Sequence, residues 1–393
     1  MAQYTEVTRT SWGSRLGSSI KGIGFGLLIF VLAFPLLFWN ESRAVKVART
    51  LDEGQGIVQP TLSTTVDPNL EGKLVHMSGL ASTQDVLSDA GFGVSASAIK
   101  LRRVVEMYQW KETSRSETKN KTGGSQETTT TYDYERVWSD SPISSSAFKV
   151  SAGHENPASM PYTGEDWQAQ QVSLGAYDLS DSLVGKISAW QALTLSENDV
   201  AGIAQAANIA VEPASDWLYL NYYGSSANPQ IGDVRLRYEL VPDTTVSIVA
   251  QQEGSSFKPY QSKYGSSINM LSPGEKTPAE MFEAAKKANT AMTWGLRVLG
   301  FFMMAIGLGM VLAPLVIVAD VLPFLGNMLR AGSRFIAGVL AFFFAFITIA
   351  IAWLAVRPVL GISLIAIAAA VLIGGMVLSR QRSKRVVPSP ASA

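Results

Sequence analysis

Cysteine is absent from the 393 residues, and histidine occurs only twice, as His76 and His154. Without cysteine there is no disulfide framework, no thiol nucleophile and no Cys/His zinc site. Charge is scarce too. Only 16% of residues are Asp, Glu, Lys or Arg, and they balance to a formal net charge of zero. A chain without a basic excess lacks the electrostatic footprint of a nucleic-acid binder. Catalytic motifs are also missing. Neither histidine lies in a nucleophile motif, and no H-E-x-x-H or calcium-loop spacing links His154 to Glu155, Glu165 and Asp166. Gly123-Gly124 and Gly374-Gly375 do not join a strand to a helix followed by lysine, as a phosphate loop requires. The sequence therefore predicts no catalytic residue, no metal ligand and no cofactor.

Long apolar runs are what the chain has in abundance. Val298–Ala319, Phe335–Val356 and Val359–Leu378 are uncharged stretches of 20 to 22 residues. About 20 helical residues cross the roughly 30 Å hydrocarbon core of a bilayer. A fourth run, Gly22–Trp39, follows a polar segment with Arg9, Arg15 and Lys21 and leads into Asn40, Glu41 and Arg43. It lacks the small-residue cleavage pattern of a signal peptide and reads as an uncleaved anchor. None of the four runs holds an Asp, Glu, Lys, Arg or His, so proton-relay and ion-pump chemistry has no foothold. Small residues recur every four positions at Ala305, Gly309 and Ala313; Ala337, Ala341 and Ala345; and Ala366, Ala370 and Gly374. Such ridges let helices approach closely in lipid. Only Arg357 and Pro358 separate the last two runs, which predicts a tight antiparallel hairpin.

The expected fold is a polytopic α-helical membrane protein with a large β-rich α+β domain between its first and second spans. Its divisions are tail 1–21, spans 22–39, 298–319, 335–356 and 359–378, domain 40–297, loop 320–334 and tail 379–393. Four spans place both termini on one side. Lys and Arg in the tails and in loop 320–334 assign that side to the cytoplasm and the domain to the opposite face. In loop 320–334, an interfacial apolar face with Arg330 and Arg334 on headgroups competes evenly with an ordinary connection.

Within the domain, Val234, Leu236, Tyr238 and Leu240 alternate with polar residues, and Val246, Ile248 and Ala250 resume the pattern after Pro242-Asp243. Residues 232–252 thus read as a hairpin. A second hairpin is expected from Leu101–Lys111 and Thr131–Asp140, with Tyr108, Trp110, Tyr132, Tyr134 and Trp138 as cross-strand neighbours. Glu112–Thr130 between them, rich in Ser, Thr, Gly and Lys, reads as a solvated loop. Glu197–Ala210 has the spacing of a short helix, and Thr277-Pro278-Ala279-Glu280 is a capping box opening another.

Several blocks carry a family resemblance: Phe-Pro-Leu-Leu-Phe-Trp-Asn-Glu-Ser-Arg-Ala-Val at 34–45, Val-Glu-Met-Tyr-Gln-Trp at 105–110, Tyr-Asp-Tyr-Glu-Arg-Val-Trp-Ser at 132–139 and His-Glu-Asn-Pro at 154–157. Met160-Pro161-Tyr162, Glu280-Met281-Phe282, Thr293-Trp294 with Arg297, and Trp353 with Arg357-Pro358 extend the match. Across nearly its whole length the chain resembles the LUMA (transmembrane protein 43) family, with Ser42 where glycine is common. The resemblance singles out Trp39, Asn40, Glu41, Arg43, Tyr108, Trp110, Tyr134, Trp138, Asn156, Pro157, Trp294, Arg297, Trp353, Arg357 and Pro358 as motif residues of unassigned role. It implies a four-helix membrane protein with a large domain between helices one and two. In animals such a protein sits in the endoplasmic reticulum and inner nuclear membrane, where it organises membrane protein complexes without an established enzymatic activity. The lack of cysteine points to a bacterial member in the cytoplasmic membrane. Expected partners are membrane lipids, other membrane proteins and a second copy of the chain. Lipid handling is the alternative function, and a membrane-anchored hydrolase is the third.

Overall fold

The structure, a computed structural model, describes residues 3–356, so the fourth apolar run and the C-terminal tail lie outside the described residues. The chain divides into two compact units. Among the described residues, a β-rich domain holds 3–9, 49–119 and 126–286, and a helical unit holds 10–48, 120–125 and 287–356. The elements used below are, in chain order, β1 (Gln3–Thr10), α1 (Trp12–Ile57), β2 (Leu74–Ser82), β3 (Lys100–Asn120), β4 (Gln126–Ser139), α2 (Glu197–Ala207), β5 (Val211–Ala214), β6 (Trp217–Leu220), β7 (Val234–Val241), β8 (Thr244–Glu253), α3 (Pro278–Ala319) and α4 (Pro323–Val356).

Three of the four apolar runs fall inside α1, α3 and α4, each long and apolar enough to cross a membrane. Close packing explains why small residues recur there. A Cβ added to Gly26 would stand 2.8 Å from the Gly307 carbonyl oxygen, so the α1 and α3 backbones touch. The ridge Ala337, Ala341 and Ala345 is buried. Ala341 and Ala345 pack in a cluster with Ala33, Leu37 and Met304, while Phe344 meets Phe30 edge-on at 5.4 Å. In the second run the contact with α1 runs through Gly300, Met304 and Gly307; of the expected ridge Ala305 packs against the same cluster, and among the described residues nothing lies within 4 Å of a Cβ at Gly309. Four-residue spacing allows several stripes on one helix, and only the partner helix selects among them.

The domain is built from two sheets. The eight-stranded one follows the order β1-β4-β3-β7-β6-β5, and the seven-stranded one is centred on the β2–β8 pair. In the first, Leu101, Val105 and Met107 of β3 and Val234, Leu236 and Tyr238 of β7 fill one core. In the second, Val75 and Met77 of β2 join Ile248, Leu174 and Tyr177 in another. Each core follows the period of two along its strands.

Four expectations need correction. The hairpin over 232–252 has the right strands but the wrong pairing, because β7 joins the first sheet and β8 the second. Pro242-Asp243 turns the chain from one sheet to the other, and neither residue has the positive φ that the tight hairpin turns favour. The loop expected over Glu112–Thr130 is the far end of β3 and β4, with a turn only at 121–125. Its threonines favour a pleated strand, yet both faces are polar, so no apolar alternation marks it. The segment expected as a tail, 1–21, is structured from residue 3 onward. Gln3–Thr10 pairs with β4 in the domain sheet, Arg9 bonds Glu127 at 3.1 Å and Glu6 bonds Lys149 at 2.8 Å. The 320–334 connection is short because α4 begins at Pro323, and Arg330 reaches Asp320 at 2.6 Å.

The two helical predictions in the domain are close. α2 ends at Ala207, three residues early, where Asn208 takes the left-handed conformation, and Ser196 and Asp199 form a reciprocal capping box. At the start of α3, the Thr277 hydroxyl accepts from the Glu280 N–H while the Glu280 carboxylate accepts from the Thr277 N–H.

Candidate functional site

Three distant segments converge in the helical unit. Arg297 of α3 donates from Nε and Nη2 to the two oxygens of Glu41 on α1 at 2.6 and 2.8 Å, and the Trp353 indole N–H of α4 donates to Glu41 at 2.8 Å. Asn40 donates to the Thr293 carbonyl at 3.0 Å, and Arg43 donates to the Thr293 hydroxyl at 3.2 Å. The Arg297 guanidinium also lies 4.8 Å from the Trp294 ring centroid. Six of the motif residues, Asn40, Glu41, Arg43, Trp294, Arg297 and Trp353, thus belong to one cluster. Glu41 is buried, and the bidentate arginine offsets the cost of holding its carboxylate away from water. A cavity of about 180 Å³ opens among Glu41, Asn289, Thr293, Trp294, Arg297 and Trp353. Trp39 stands apart, exposed on an apolar groove with Phe34, Pro35 and Ile351, and Arg357 and Pro358 lie outside the described residues.

A second polar cluster joins the other end of α1 to the end of α3. Asp320 is fully buried and accepts from Arg15 at 2.5 Å and from Arg330 at 2.6 Å. Arg15 also donates to the Gly124 carbonyl, and the Gly123 N–H donates to the Val321 carbonyl. The turn 121–125 is therefore held at this end of the helical unit. A lone aspartate closing an apolar run was the available signal, since a buried charge requires a partner.

The remaining motif residues form one layer on the domain. Asn156 clamps the β3 backbone, accepting from the Trp110 N–H at 2.7 Å and donating to the Trp110 and Ile143 carbonyls. Pro157 follows it beside Gly232. Tyr134 donates to Glu112 at 2.7 Å and stacks on His154, whose ring meets Trp110 edge-on. Burial, then the bond to Glu112, pushes the Tyr134 hydroxyl above the usual phenol range. Trp138 packs on Tyr108 and Tyr219, and Arg235 lies 4.4 Å from the Trp138 ring and 4.2 Å from Trp217. Arg235 is also paired with Glu106 at 2.6 Å.

His154 is an aromatic packing residue, and His76 bonds the Lys276 carbonyl at 2.7 Å. Among the described residues, no group of three or more His, Cys, Asp and Glu could hold a metal ion. One buried ionic group escaped the sequence. Asp89 accepts from Arg103 and from the Tyr238 hydroxyl, and burial followed by that carboxylate pushes the Tyr238 hydroxyl far up. Its signal was Arg103 at an inward position between Leu101 and Val105.

The family model described as Transmembrane protein 43 matches residues 107–358. Mouse (Mus musculus) transmembrane protein 43 is 33% identical over 355 residues, covering 88% of this chain and 86% of its own length. The human (Homo sapiens) protein of that name is 32% identical over the same shares, and a Drosophila melanogaster homologue is 28% identical over 93% of the chain and 94% of its own. No solved structure matches. With the family model covering more than half of its residues, this membrane protein belongs to the transmembrane protein 43 family.

Proposed function

We propose that this chain is a non-enzymatic membrane scaffold that gathers other membrane proteins through its β-rich domain. The observation that supports this is the outer face of the eight-stranded sheet. Trp110, Tyr108, Trp138, Tyr219 and Trp217 run across β3, β4 and β6, interleaved with Arg136, Arg235 and Arg237. The aromatic rings, Arg235 and Arg237 are partly exposed, and Arg136 is exposed. Tryptophan, tyrosine and arginine dominate the energetics of protein interfaces, because each offers a large rigid contact area together with a polar handle.

The face carries no nucleophile beside a base, so it suits docking better than chemistry. The test is cross-linking in native membranes followed by sizing of the extracted chain. Arg136→Glu reverses an exposed charge on this face without touching a core. It should reduce the high-mass cross-linked species while leaving the melting temperature unchanged. Identical cross-linking of both chains would sink the reading.

A second reading, lipid handling, is favoured by an apolar groove of about 540 Å³ between α2 and β6, lined by Leu195, Val200, Ala204, Pro213 and Trp217. Its volume is that of a small-ligand pocket.

A further inference from the structure

The groove between α2 and the β5–β6 hairpin is open because the side chains α2 turns towards it are small. Ile203 is buried in the core of the eight-stranded sheet, with Val200 and Ala207 packed beside it. Ala201 and Ala204 line the groove, and they leave about 540 Å³ unfilled. The opposite wall is the hairpin from Pro213 to Leu218. β5 ends the eight-stranded sheet, and Pro213 within it has no amide to offer a further strand. An occupant must therefore bind through its side chains rather than by extending the sheet.

Charge narrows the occupant. Glu197 and Asp216 both line the groove and are exposed, and neither carboxylate has a hydrogen bond or ion pair among the described residues. Arg237 lines it as well, but Glu239 pairs with that guanidinium at 2.7 Å. The groove thus combines apolar walls with two uncompensated negative charges. Ser215 helps to place one of them, since it holds a left-handed φ of 55° in the turn that presents Asp216. Phospholipids and fatty acids carry a phosphate or carboxylate beside their chains, which these two carboxylates repel. Lysine and arginine among apolar side chains match both the walls and the charge.

We propose that this groove binds a short segment of a partner protein in which large apolar side chains are interspersed with lysine or arginine. The proposal rests on the scaffold reading and gives the partner a chemistry. Trp217 and Arg237 stand both on the docking face and in the groove wall, so a partner seated on that face has the groove at its edge.

The probe is a fluorescein-labelled peptide repeating Leu-Leu-Arg, compared with one repeating Leu-Leu-Glu. Each is titrated with the full chain in phosphatidylcholine nanodiscs, with empty nanodiscs as the blank, and followed by fluorescence anisotropy. The basic peptide should bind the tighter. The double variant Glu197→Gln, Asp216→Asn should weaken it about fivefold, the strength of two exposed ion pairs. Ala204→Phe fills the groove and should abolish binding. If that variant misfolds, the double variant still decides, because its two side chains hold nothing in the fold. Equal affinity for the two peptides, no binding of the basic one, or no effect of the double variant would overturn the proposal. A fluorescent fatty acid retained in place of the basic peptide, and lost in Ala204→Phe, would assign the groove to lipid. Arg136 does not line the groove, so Arg136→Glu should leave peptide binding unchanged. Failure of the docking face then shows in the cross-linking, and failure of the groove in the anisotropy.

Discussion

Removing Arg297 should strongly destabilise the helical unit. Glu41 is only 2% exposed and receives three hydrogen bonds of 2.6 to 2.8 Å, two of them from Arg297. Arg297→Met keeps the apolar stem of the side chain but leaves the carboxylate with Trp353 alone. Breaking a buried ion pair from one side costs about 3–5 kcal/mol, because the surviving charge is stranded in a low dielectric. At a few degrees per kcal/mol, the melting temperature in detergent should fall by about 10 °C. The double variant Glu41→Gln, Arg297→Met removes both charges and should recover at least half of that loss. The assay is thermal unfolding of the three purified chains, followed by circular dichroism. If the single and double variants melt together, the penalty is not that of a stranded carboxylate and the electrostatic reasoning fails.

Ala341→Leu places bulk in the contact with α1 and should destabilise the helical unit by about 1–3 kcal/mol, whereas Leu340→Ile on the exposed side should not; equal melting would mean that the ridge does not pack. Burial lowers the pKa of His76, partly offset by its bond to the Lys276 carbonyl. The domain should therefore keep its full stability above the unfolded histidine pKa of about 6.5 and lose some as pH falls towards the depressed folded value. His76→Gln should flatten that slope in a pH series of melting curves, and an unchanged slope would assign it to other groups.

Legibility in the sequence followed the strength of each physical signal. Apolar runs of 20 or more residues and clean alternation in β3 and β7 carry their own answer, and they placed α1, α3, α4 and the strands correctly. Pairing was harder, because alternation shows that Val246 and Ile248 face a core but not which core. The polar strand ends around Asn120 and Gln126 were hidden because neither face is apolar. The motif residues were visible one block at a time, as Asn-Glu-Ser-Arg, Trp-Gly-Leu-Arg or a lone Trp353. Only the helix packing shows that Glu41, Arg297 and Trp353 make one site. Asp89, Arg103 and Asp320 went unnoticed because a single charge in an apolar context reveals the need for a partner without naming it.

The N-terminal segment offers the sharpest contest between two physical signals. The positive charges Arg9, Arg15 and Lys21 before the first apolar run favour a cytoplasmic N-terminus with the domain across the membrane. The pairing of β1 with β4 demands the opposite, because hydrogen-bonded strands share one compartment. The ion pairs of Arg9 with Glu127 and Lys149 with Glu6 add to the ladder, although exposed pairs contribute little on their own. The backbone ladder of an eight-residue strand outweighs them, and it predicts a shared side. Single cysteines at Thr8 and Ser255, in this cysteine-free chain, report on the segment and on the domain separately. In sealed vesicles, a membrane-impermeant thiol reagent should label both or neither. Labelling of one without the other would show that β1 leaves the sheet when α1 enters the bilayer, and that charge placement outweighs the strand pairing.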